Sequence, residues 1–424
     1  MHMLDIKLIR ESPQSVKENL KKRNQNDKLK LVDELLHIDK KRRDIIKKVE
    51  DLRKQRNDAT QQIASLKRKG DKKELNKILE EIKEIPERIK HLDQHLQDED
   101  NKMREISLSL PNILDSSVPA GEGVETIKQF GSLPGFDFKV KDHMDIALEL
   151  DLVDVESASK ITGSRFYFLK NELLILEQSL MRFALDFLRK KNYALLYPPF
   201  FLRREAYQGV TDLGAFEETL YKIEKEDLYL IATSEHPMVA KHINEVLDKE
   251  KLPIKYGGYS TCFRKEAGSH GKDTKGIFRV HQFNKVEQVA ISLPEQSWDM
   301  HQELLDNAIE FLQLLQLPFR LVVVKSFDAG NTAAKQYDLE AWFPAQQEYR
   351  EVASCSNCTD YQARRLGMRF KAQGKPVEGF VHTLNSTLVA DRTLVAIIEN
   401  YQSERGIEVP KALRPYTGFD FIGH

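Results

Sequence analysis

The chain has 424 residues, 41% of them hydrophobic, and a formal net charge of −1 at pH 7. That length predicts two or three domains and excludes a single small one, and the hydrophobic fraction suffices for a large buried core. Three cysteines, Cys262, Cys355 and Cys358, are too few for a disulfide framework and favour a reducing compartment. The N-terminus lacks the apolar stretch of a signal peptide, and no apolar run is long enough to span a bilayer. We therefore expect a cytoplasmic protein without a membrane segment.

Residues 1–105 are predicted to form a helical arm. Apolar side chains follow a heptad spacing over 35–66 and again over 75–103, and a Lys-Gly-Asp sequence at 69–71 separates the two runs. Two heptad helices joined by such a turn form an antiparallel coiled-coil hairpin. Pro86 lies inside the second helix, and we expect it to kink the arm there.

Charge separates the two predicted helices of the arm. Residues 21–69 carry 17 lysines and arginines against 8 aspartates and glutamates, whereas residues 71–105 carry 8 against 11. A basic helix on a long projecting arm suits binding to a phosphate backbone. The alternative, in which the lysines only solvate a coiled coil, stays open at this point.

A change of composition separates the arm from the rest of the chain. Residues 106–125 contain several prolines and glycines and are predicted to be a linker, followed by a second domain over 126–424. Predicted strands follow one another there instead of alternating with helices, which indicates an α+β fold with an antiparallel sheet flanked by helices. No glycine-rich loop of the P-loop or Rossmann type occurs. Strands are predicted at 228–233, 259–263, 279–291, 319–325 and 347–354, and helices at 171–191, at 296–316 and from near Arg392.

The segment 261–287 is the most informative part of this domain. Its two ends alternate apolar and charged residues like the strands of a hairpin, and its centre is rich in glycine, at Gly268, Gly271 and Gly276, and in lysine. Four polar blocks surround or contain it: TSEHP at 233–237, FRKEAGSHGKDTKGIFRVHQFNKVEQ at 263–288, EVASCSNCTDYQARR at 351–365 and HTLNSTLVADRTLVAIIENYQ at 382–402.

These four blocks, in this order, resemble the signatures of the seryl-tRNA synthetase family within the class II aminoacyl-tRNA synthetases. The helical arm is similar to that family's as well, so the resemblance covers essentially the whole chain. It implies a class II catalytic domain over 126–424 and a tRNA-binding arm over 1–105. The implied reaction is ATP-dependent ligation of L-serine to tRNA(Ser) through a seryl-adenylate, by a homodimer. Whether tRNA(Sec) is a second substrate stays open.

The resemblance also implies an ATP site. Arg264 would contact the α-phosphate and Arg392 the γ-phosphate, and these two are the implied catalytic residues. Phe283 would stack on the adenine, and Glu351 with Ser354 would hold Mg²⁺ or Mn²⁺ on ATP. The residues implied for ATP binding are Arg264, Lys265, Glu266, Arg279, Val280, Phe283, Glu351, Val352, Ala353, Ser354 and Arg392.

A serine site is implied beside the ATP site. Glu235 would lie near the substrate amino group and Glu287 near its hydroxyl, and the sequence leaves open whether Ser386 or Thr387 meets the substrate. Asp391, next to Arg392, has no predicted role. The residues implied for serine binding are Thr233, Ser234, Glu235, Arg264, Glu287, Asn385 and Thr387.

Other interpretations of the same residues remain open. Cys355 and Cys358 have the spacing of a metal pair, but four ligands would be needed and we expect structural thiols. His270 and His281 are expected to serve packing or tRNA contact, and the hairpin lysines to meet the tRNA acceptor end. A relative that loads an amino acid onto a carrier protein would lack a full arm. An inactive paralogue acting as a binding protein would have lost Arg264, Glu266, Glu351 or Arg392, all of which are present.

Overall fold

The structure is a computed structural model that describes residues 6–266 and 276–423. The chain divides into two compact units. The first comprises Met1–Lys21 and Gln25–Leu110, and the second comprises Lys22–Asn24 and Pro111–His424. Within the described residues, no helix has both the length and the apolar character needed to cross a membrane.

From residue 6 onward, the first unit consists of helices and short connections without strands. Its longest helix has 41 residues and ends at Gly70, whose left-handed conformation (φ 75°) terminates it. Asp71 then caps the next helix by accepting a hydrogen bond from the Glu74 backbone N–H, so the chain reverses at the Gly-Asp pair. The helices of this unit are α1 (Ile6–Glu11), α2 (Pro13–Lys22), α3 (Leu29–Lys69), α4 (Lys72–Ile82) and α5 (Ile85–Ser109).

The return side of the arm consists of two helices, and here the expectation of one kinked helix was wrong. Helix α4 ends at Ile82 and α5 begins at Ile85, with Pro86 in the first turn of α5. Proline fits a first helical turn because its missing N–H would have no partner there, whereas inside a helix it clashes with the preceding turn. Packing against α3 nevertheless continues across this break, because Ile82 before it and Ile85 after it belong to one cluster with Val49 and Leu52.

The second unit contains an eight-stranded sheet with helices against it. Its helices are α6 (His143–Glu149), α7 (Val155–Thr162), α8 (Asn171–Lys190), α9 (Arg204–Val210), α10 (Leu213–Phe216), α11 (Glu235–Ala240), α12 (Ser297–Leu314), α13 (Tyr361–Leu366), α14 (Asp391–Asn400) and α15 (Arg414–Thr417). Its strands are β1 (Val124–Phe130), β2 (Val153–Asp154), β3 (Phe168–Leu169), β4 (Ala194–Leu196), β5 (Phe201–Leu202), β6 (Tyr229–Leu230), β7 (Val246–Asp248), β8 (Ile254–Phe263), β9 (Gln282–Ser292), β10 (Phe319–Val324), β11 (Lys335–Phe343), β12 (Glu348–Asn357), β13 (Arg369–Lys371), β14 (Gly379–Phe380), β15 (His382–Ala390), β16 (Gln402–Ser403), β17 (Gly406–Glu408) and β18 (Phe421–Gly423).

The large sheet has the order β1-β10-β11-β12-β15-β9-β8-β4. Neighbouring strands are antiparallel except for the edge pair β4 and β8. The prediction of an antiparallel sheet flanked by helices is therefore confirmed, with one parallel edge added. Helices α8, α12 and α14 bury their apolar sides in one core cluster with the sheet.

The bounds of the linker and of strand β9 differ from the predicted ones. Helix α5 extends to Ser109 and β1 starts at Val124, so the stretch without helix or strand is shorter than the predicted 106–125. The return strand β9 begins at Gln282 instead of 279, because Gly276 and the residues after it form bends. Gly268, Gly271, His270 and the lysines at 272 and 275, predicted at the tip of this hairpin, fall within 267–275 and lie outside the described residues.

Candidate active site

A cavity opens beside the hairpin of β8 and β9, where these strands meet β12, β15 and the start of α14. Ten of the residues implied for ATP and serine line it: Arg264, Glu266, Arg279, Val280, Phe283, Glu351, Val352, Ala353, Thr387 and Arg392. Ile277, Phe278, Lys285, Ala390 and Asp391 complete the lining. Three sequence blocks, spread between residues 264 and 392, thus contribute to one wall because β9, β15 and β12 follow one another in the sheet.

Arginines and aromatic rings alternate in the outer part of the cavity. The Arg264 guanidinium lies 5.1 Å from the centroid of the Phe283 ring, and its Nε donates to the Ala232 carbonyl at 3.3 Å. The Arg392 guanidinium lies 4.8 Å from the ring centroid of Phe278. Fixed guanidinium groups and flat rings at such distances suit a ligand that has both phosphate groups and a planar base.

Two glutamates of the outer cavity, Glu266 and Glu351, are each paired with an arginine. Arg279 Nη1 lies 3.5 Å from Glu266 Oε2 across the base of the hairpin. Arg392 Nη1 lies 3.2 Å from Glu351 Oε2 and donates to the Glu351 carbonyl at 3.3 Å. Each carboxylate is thus held close to a cation that can also bind phosphate.

A β-bulge brings the two predicted metal ligands onto one face of β12. Residues three apart in a regular strand face opposite sides, but the register with β11 shifts at Val352, so Glu351 pairs with Glu340 and Ser354 with Asp338. The Ser354 hydroxyl donates to Asp338. Burial and the nearby charge of Glu351 raise the pKa of Asp338 to about 7. The bulge therefore gathers carboxylate and hydroxyl oxygens, the donor set that fits Mg²⁺ or Mn²⁺.

A buried polar cluster adjoins the inner end of the cavity, which two of its members, Lys285 and Thr387, line. Lys285 Nζ lies 2.5 Å from Glu287 Oε2 and donates to Thr233 Oγ1 at 2.7 Å. Thr387 lies directly opposite Glu287 in the sheet, and its hydroxyl donates to Glu287 Oε2 at 3.1 Å. Hydroxyl, ammonium and carboxylate groups thus lie together in a buried site, where electrostatic interactions and hydrogen bonds are stronger than in water.

Glu235 belongs to the same cluster. Its Oε1 accepts a hydrogen bond from Gln362 Nε2 at 2.8 Å, and its backbone N–H donates to Thr233 Oγ1 at 3.2 Å. Burial, followed by repulsion from Glu287, raises the pKa of Glu235 to about 7. A carboxyl in this state can gain or lose a proton near neutral pH and is well suited to receiving an ammonium ion.

Four of the residues considered for the site have their contacts elsewhere. Ser234 Oγ donates to the Gly258 carbonyl at 3.1 Å, and Asn385 Nδ2 lies 3.6 Å from Cys358 Sγ. The Lys265 ammonium lies 5.7 Å from the ring centroid of Tyr221. The Ser386 hydroxyl donates to the Thr387 carbonyl at 3.3 Å and is fully buried. Between the two alternatives left open by the sequence, the structure therefore brings Thr387 into the cavity wall and not Ser386.

Sequence reasoning missed two members of the inner cluster. Lys285 could have been found, because residues 283, 285 and 287 alternate along β9 and must share one face of the strand. Gln362, which donates to Glu235 and accepts from Thr383 Oγ1 at 2.6 Å, carries no such signal. It reaches the cluster only because α13 packs beside β15.

The cysteines and His281 serve structural contacts. All three cysteines are free and buried, and burial raises the pKa of Cys355 and Cys358. Among residues 6–266 and 276–423, no group of three or more histidine, cysteine, aspartate or glutamate side chains could hold a metal ion. His281 Nδ1 lies 2.9 Å from the Tyr221 hydroxyl and 2.8 Å from the Arg264 carbonyl, where it supports the hairpin base.

Comparisons with known proteins show which protein class this fold and site belong to. Residues 219–401 match the family model "tRNA synthetase class II core domain (G, H, P, S and T)", and residues 3–114 match "Seryl-tRNA synthetase N-terminal domain". The cavity therefore belongs to a class II aminoacyl-tRNA synthetase core.

Similarity over the full length identifies the family within that class. The chain is 45% identical over 421 residues to the Serine–tRNA ligase of Nitrosopumilus maritimus, covering 98% of this chain and 99% of that one. It is 47% identical over 446 residues to the Serine–tRNA ligase of Thermococcus kodakarensis, covering 99% and 97%. The seryl-tRNA synthetase of Pyrococcus horikoshii complexed with ATP superposes with a TM-score of 0.94 at 43% identity, covering 99% of both chains. The chain belongs to the seryl-tRNA synthetase family, as the resemblance predicted.

Proposed function

We propose that this chain ligates L-serine to tRNA(Ser) in an ATP-dependent reaction that passes through a seryl-adenylate. The observation that carries the proposal is the continuity of one cavity: the arginine and aromatic side chains of its outer part adjoin the buried cluster of Lys285, Glu287 and Thr387. A site that activates an amino acid must hold a nucleotide and a small polar substrate in contact. Relatives named Serine–tRNA ligase, and a relative complexed with ATP, support the same assignment.

The outer cavity would bind ATP. Phe283 offers a ring for adenine, and Arg264 beside it would hold the α-phosphate, where negative charge increases during attack by the serine carboxylate. Glu266 would accept from the adenine amino group. Arg392, at the start of α14, would hold the γ-phosphate and so orient the pyrophosphate for departure.

Glu351 and Ser354 would hold a divalent ion, Mg²⁺ or Mn²⁺, on the nucleotide. Such an ion neutralises phosphate charge and fixes the phosphates when bound. The two side chains offer only oxygen donors, so phosphate oxygens and water would complete the coordination. With the ion bound, Glu351 would hold the metal in place of part of its ion pair with Arg392. The Arg392 guanidinium would then be free to bind a phosphate group.

The inner cluster would select serine. Glu287 and Thr387 would bond the substrate hydroxyl, and Glu235 with Thr233 would receive its ammonium group. Alanine would leave these buried polar groups unpaired and be rejected strongly. Threonine would bind less favourably than serine by about 1–3 kcal/mol, the free-energy difference that one additional methyl-sized group produces in a closed pocket.

The proposals for tRNA binding and for a homodimer are based on surface features. The basic helix α3, with three basic residues in its last turn, would follow the phosphate backbone of tRNA(Ser). Helix α8 and the edge strand β4 expose Leu174, Ile175 and Leu195, which supports a homodimer through this edge. Three free thiols agree with a cytoplasmic location. Serylation of tRNA(Sec) is left to experiment.

The test is serine-dependent exchange of pyrophosphate into ATP, with alanine, threonine and cysteine as control substrates, together with charging of tRNA(Ser). Exchange with serine and charging of tRNA(Ser) are expected, and Arg264→Ala should lose exchange while remaining folded. Exchange without charging would point to the carrier-protein relative. A folded wild-type protein without exchange would contradict the proposal and favour an inactive paralogue.

A further inference from the structure

Asp391, the first residue of α14, is buried behind the nucleotide cavity. Its Oδ2 accepts a hydrogen bond from the Asn284 backbone N–H at 2.8 Å and one from the Tyr167 hydroxyl at 3.4 Å. Its Oδ1 is buried and has no hydrogen-bond partner among the described residues. Asp391 borders both the nucleotide cavity and a second cavity of about 760 Å³, and Phe283 stands between the two. The next residue, Arg392, instead extends its side chain toward Glu351.

A second buried carboxyl group lies across the second cavity. Glu177 of α8 is 1% exposed, and its Oε1 accepts from Asn284 Nδ2 at 3.0 Å. The amide oxygen of Asn284 in turn accepts from Thr261 Oγ1 on β8 at 2.8 Å. Asn284 therefore uses its backbone N–H and both ends of its side chain to join α14, α8 and β8.

We propose that Asp391, linked to Glu177 through Asn284, is a positioning residue of the nucleotide site. The link fixes the start of α14, which carries Arg392, against the segment of β9 that carries Phe283. These two side chains define opposite ends of the bound nucleotide in the proposed function, on which this inference rests. Neither Asp391 nor Glu177 needs to touch ATP for this role.

The cluster is consistent with an uncharged Asp391. Burial and repulsion from Glu177 raise the pKa of Asp391 to about 8, and burial raises the pKa of Glu177. The titratable groups that face the cluster are Tyr167, Glu177 and Tyr259 of β8, and burial raises the pKa of both tyrosines. This upward shift in the pKa of Asp391 favours the uncharged acid, for which asparagine is the isosteric substitute. Ionisation of Asp391 at higher pH would place its charge beside Glu177, and the repulsion would loosen the link.

The experiment compares wild-type protein with Asp391→Asn, Asp391→Ala and a control, Asp154→Asn, which changes the half-buried carboxyl that caps α7. KM for ATP and for serine in the exchange reaction, and the calorimetric Kd for ATP, are measured at pH 7 and pH 9. Asp391→Asn and the control should match wild type within about twofold at pH 7. Asp391→Ala should raise KM and Kd for ATP about tenfold and leave KM for serine nearly unchanged, because only the nucleotide wall is displaced. Between pH 7 and pH 9, wild type should lose ATP affinity and Asp391→Asn should not.

Two results would overturn the inference. One is an ATP affinity of Asp391→Ala equal to wild type. The other is a pH 9 loss that persists in Asp391→Asn, a comparison that needs no cavity-forming variant and so holds even if Asp391→Ala fails to fold. If wild-type protein shows no serine-dependent exchange, the proposed function fails. The calorimetric Kd for ATP still decides the role of Asp391 in that case.

Discussion

Lys285 and Glu287 lie two residues apart on β9 and form a buried ion pair at 2.5 Å, with exposed side-chain fractions of 7% and 2%. The pair stands beside Thr233 and Thr387, at the inner end of the cavity. Since both charges have been removed from water, each depends on the other and on the neighbouring hydroxyls. The pair thus makes the inner cavity polar without leaving an uncompensated charge.

Removing the cation of this pair is expected to destabilise the protein. Lys285→Met leaves Glu287 buried without its cation, which should lower the free energy of unfolding by about 3–5 kcal/mol. Urea unfolding measures the change. Lys255→Met is the matched control, because Lys255 pairs with the more exposed Glu303 at 3.1 Å and should cost less than about 1 kcal/mol. Equal losses in the two variants would show that Lys285 contributes no more than a surface cation.

The hydroxyl of Thr387 is expected to control serine affinity. Thr387→Val keeps the shape of the side chain and removes the donor to Glu287, so KM for serine should rise about tenfold while KM for ATP stays unchanged. Ser386→Ala is the control, since the Ser386 hydroxyl bonds the Thr387 carbonyl and the Cys355 thiol and does not line the cavity. A larger effect of Ser386→Ala than of Thr387→Val would reverse the assignment.

Stability and serine affinity should depend on pH through Glu235. Its pKa is raised from 4.5 to about 7, so between these values the unfolded chain has lost a proton that the folded chain keeps. The free energy of unfolding therefore falls as pH rises through this window. Glu235→Gln lacks this dependence, and from pH 5 to pH 8 its stability relative to wild type should increase by about 2–3 kcal/mol.

Whereas the stability of wild-type protein should fall as pH rises, its affinity for serine should increase. The substrate ammonium group is held by the ionised form of Glu235, so serine affinity should increase from pH 6 to pH 8. Isothermal titration with serine at both pH values measures it, and Glu235→Gln should bind weakly at each. A serine affinity of wild type that does not change over this range would remove Glu235 from the ammonium site.

Metal dependence should identify Glu351 as a ligand. Glu351→Gln weakens the oxygen donor that would hold the divalent ion, so the Mg²⁺ concentration for half-maximal exchange should rise at least about tenfold. Glu348→Gln on the same strand is the control, because Glu348 is 55% exposed and pairs with Arg350 at 3.3 Å. If both variants need the same Mg²⁺ concentration as wild type, the ion is held elsewhere.

Local pattern alone was enough to predict several parts of the protein. The heptads of the arm, the turn at Gly70 and the hairpin of β8 and β9 depend on residue types within a few positions, and these elements occur as predicted or within a few residues. The same holds for the face shared by Phe283, Lys285 and Glu287, although the role of Lys285 was not inferred. Family signatures in four blocks extended this local information to the class of fold and reaction.

Tertiary structure decided the features that depend on bulges and on contacts between distant segments. Bulges at Val352 and Leu388 change which residues share a face, so neither the joint position of Glu351 and Ser354 nor the choice of Thr387 follows from regular alternation. Asp391 follows a strand end and precedes Arg392, yet it faces Asn284 while Arg392 faces Glu351. The directions of these two side chains depend on where α8, β9 and α14 meet. Burial and long-range hydrogen bonds are set by the packing of helices on the sheet and not by neighbours in the sequence.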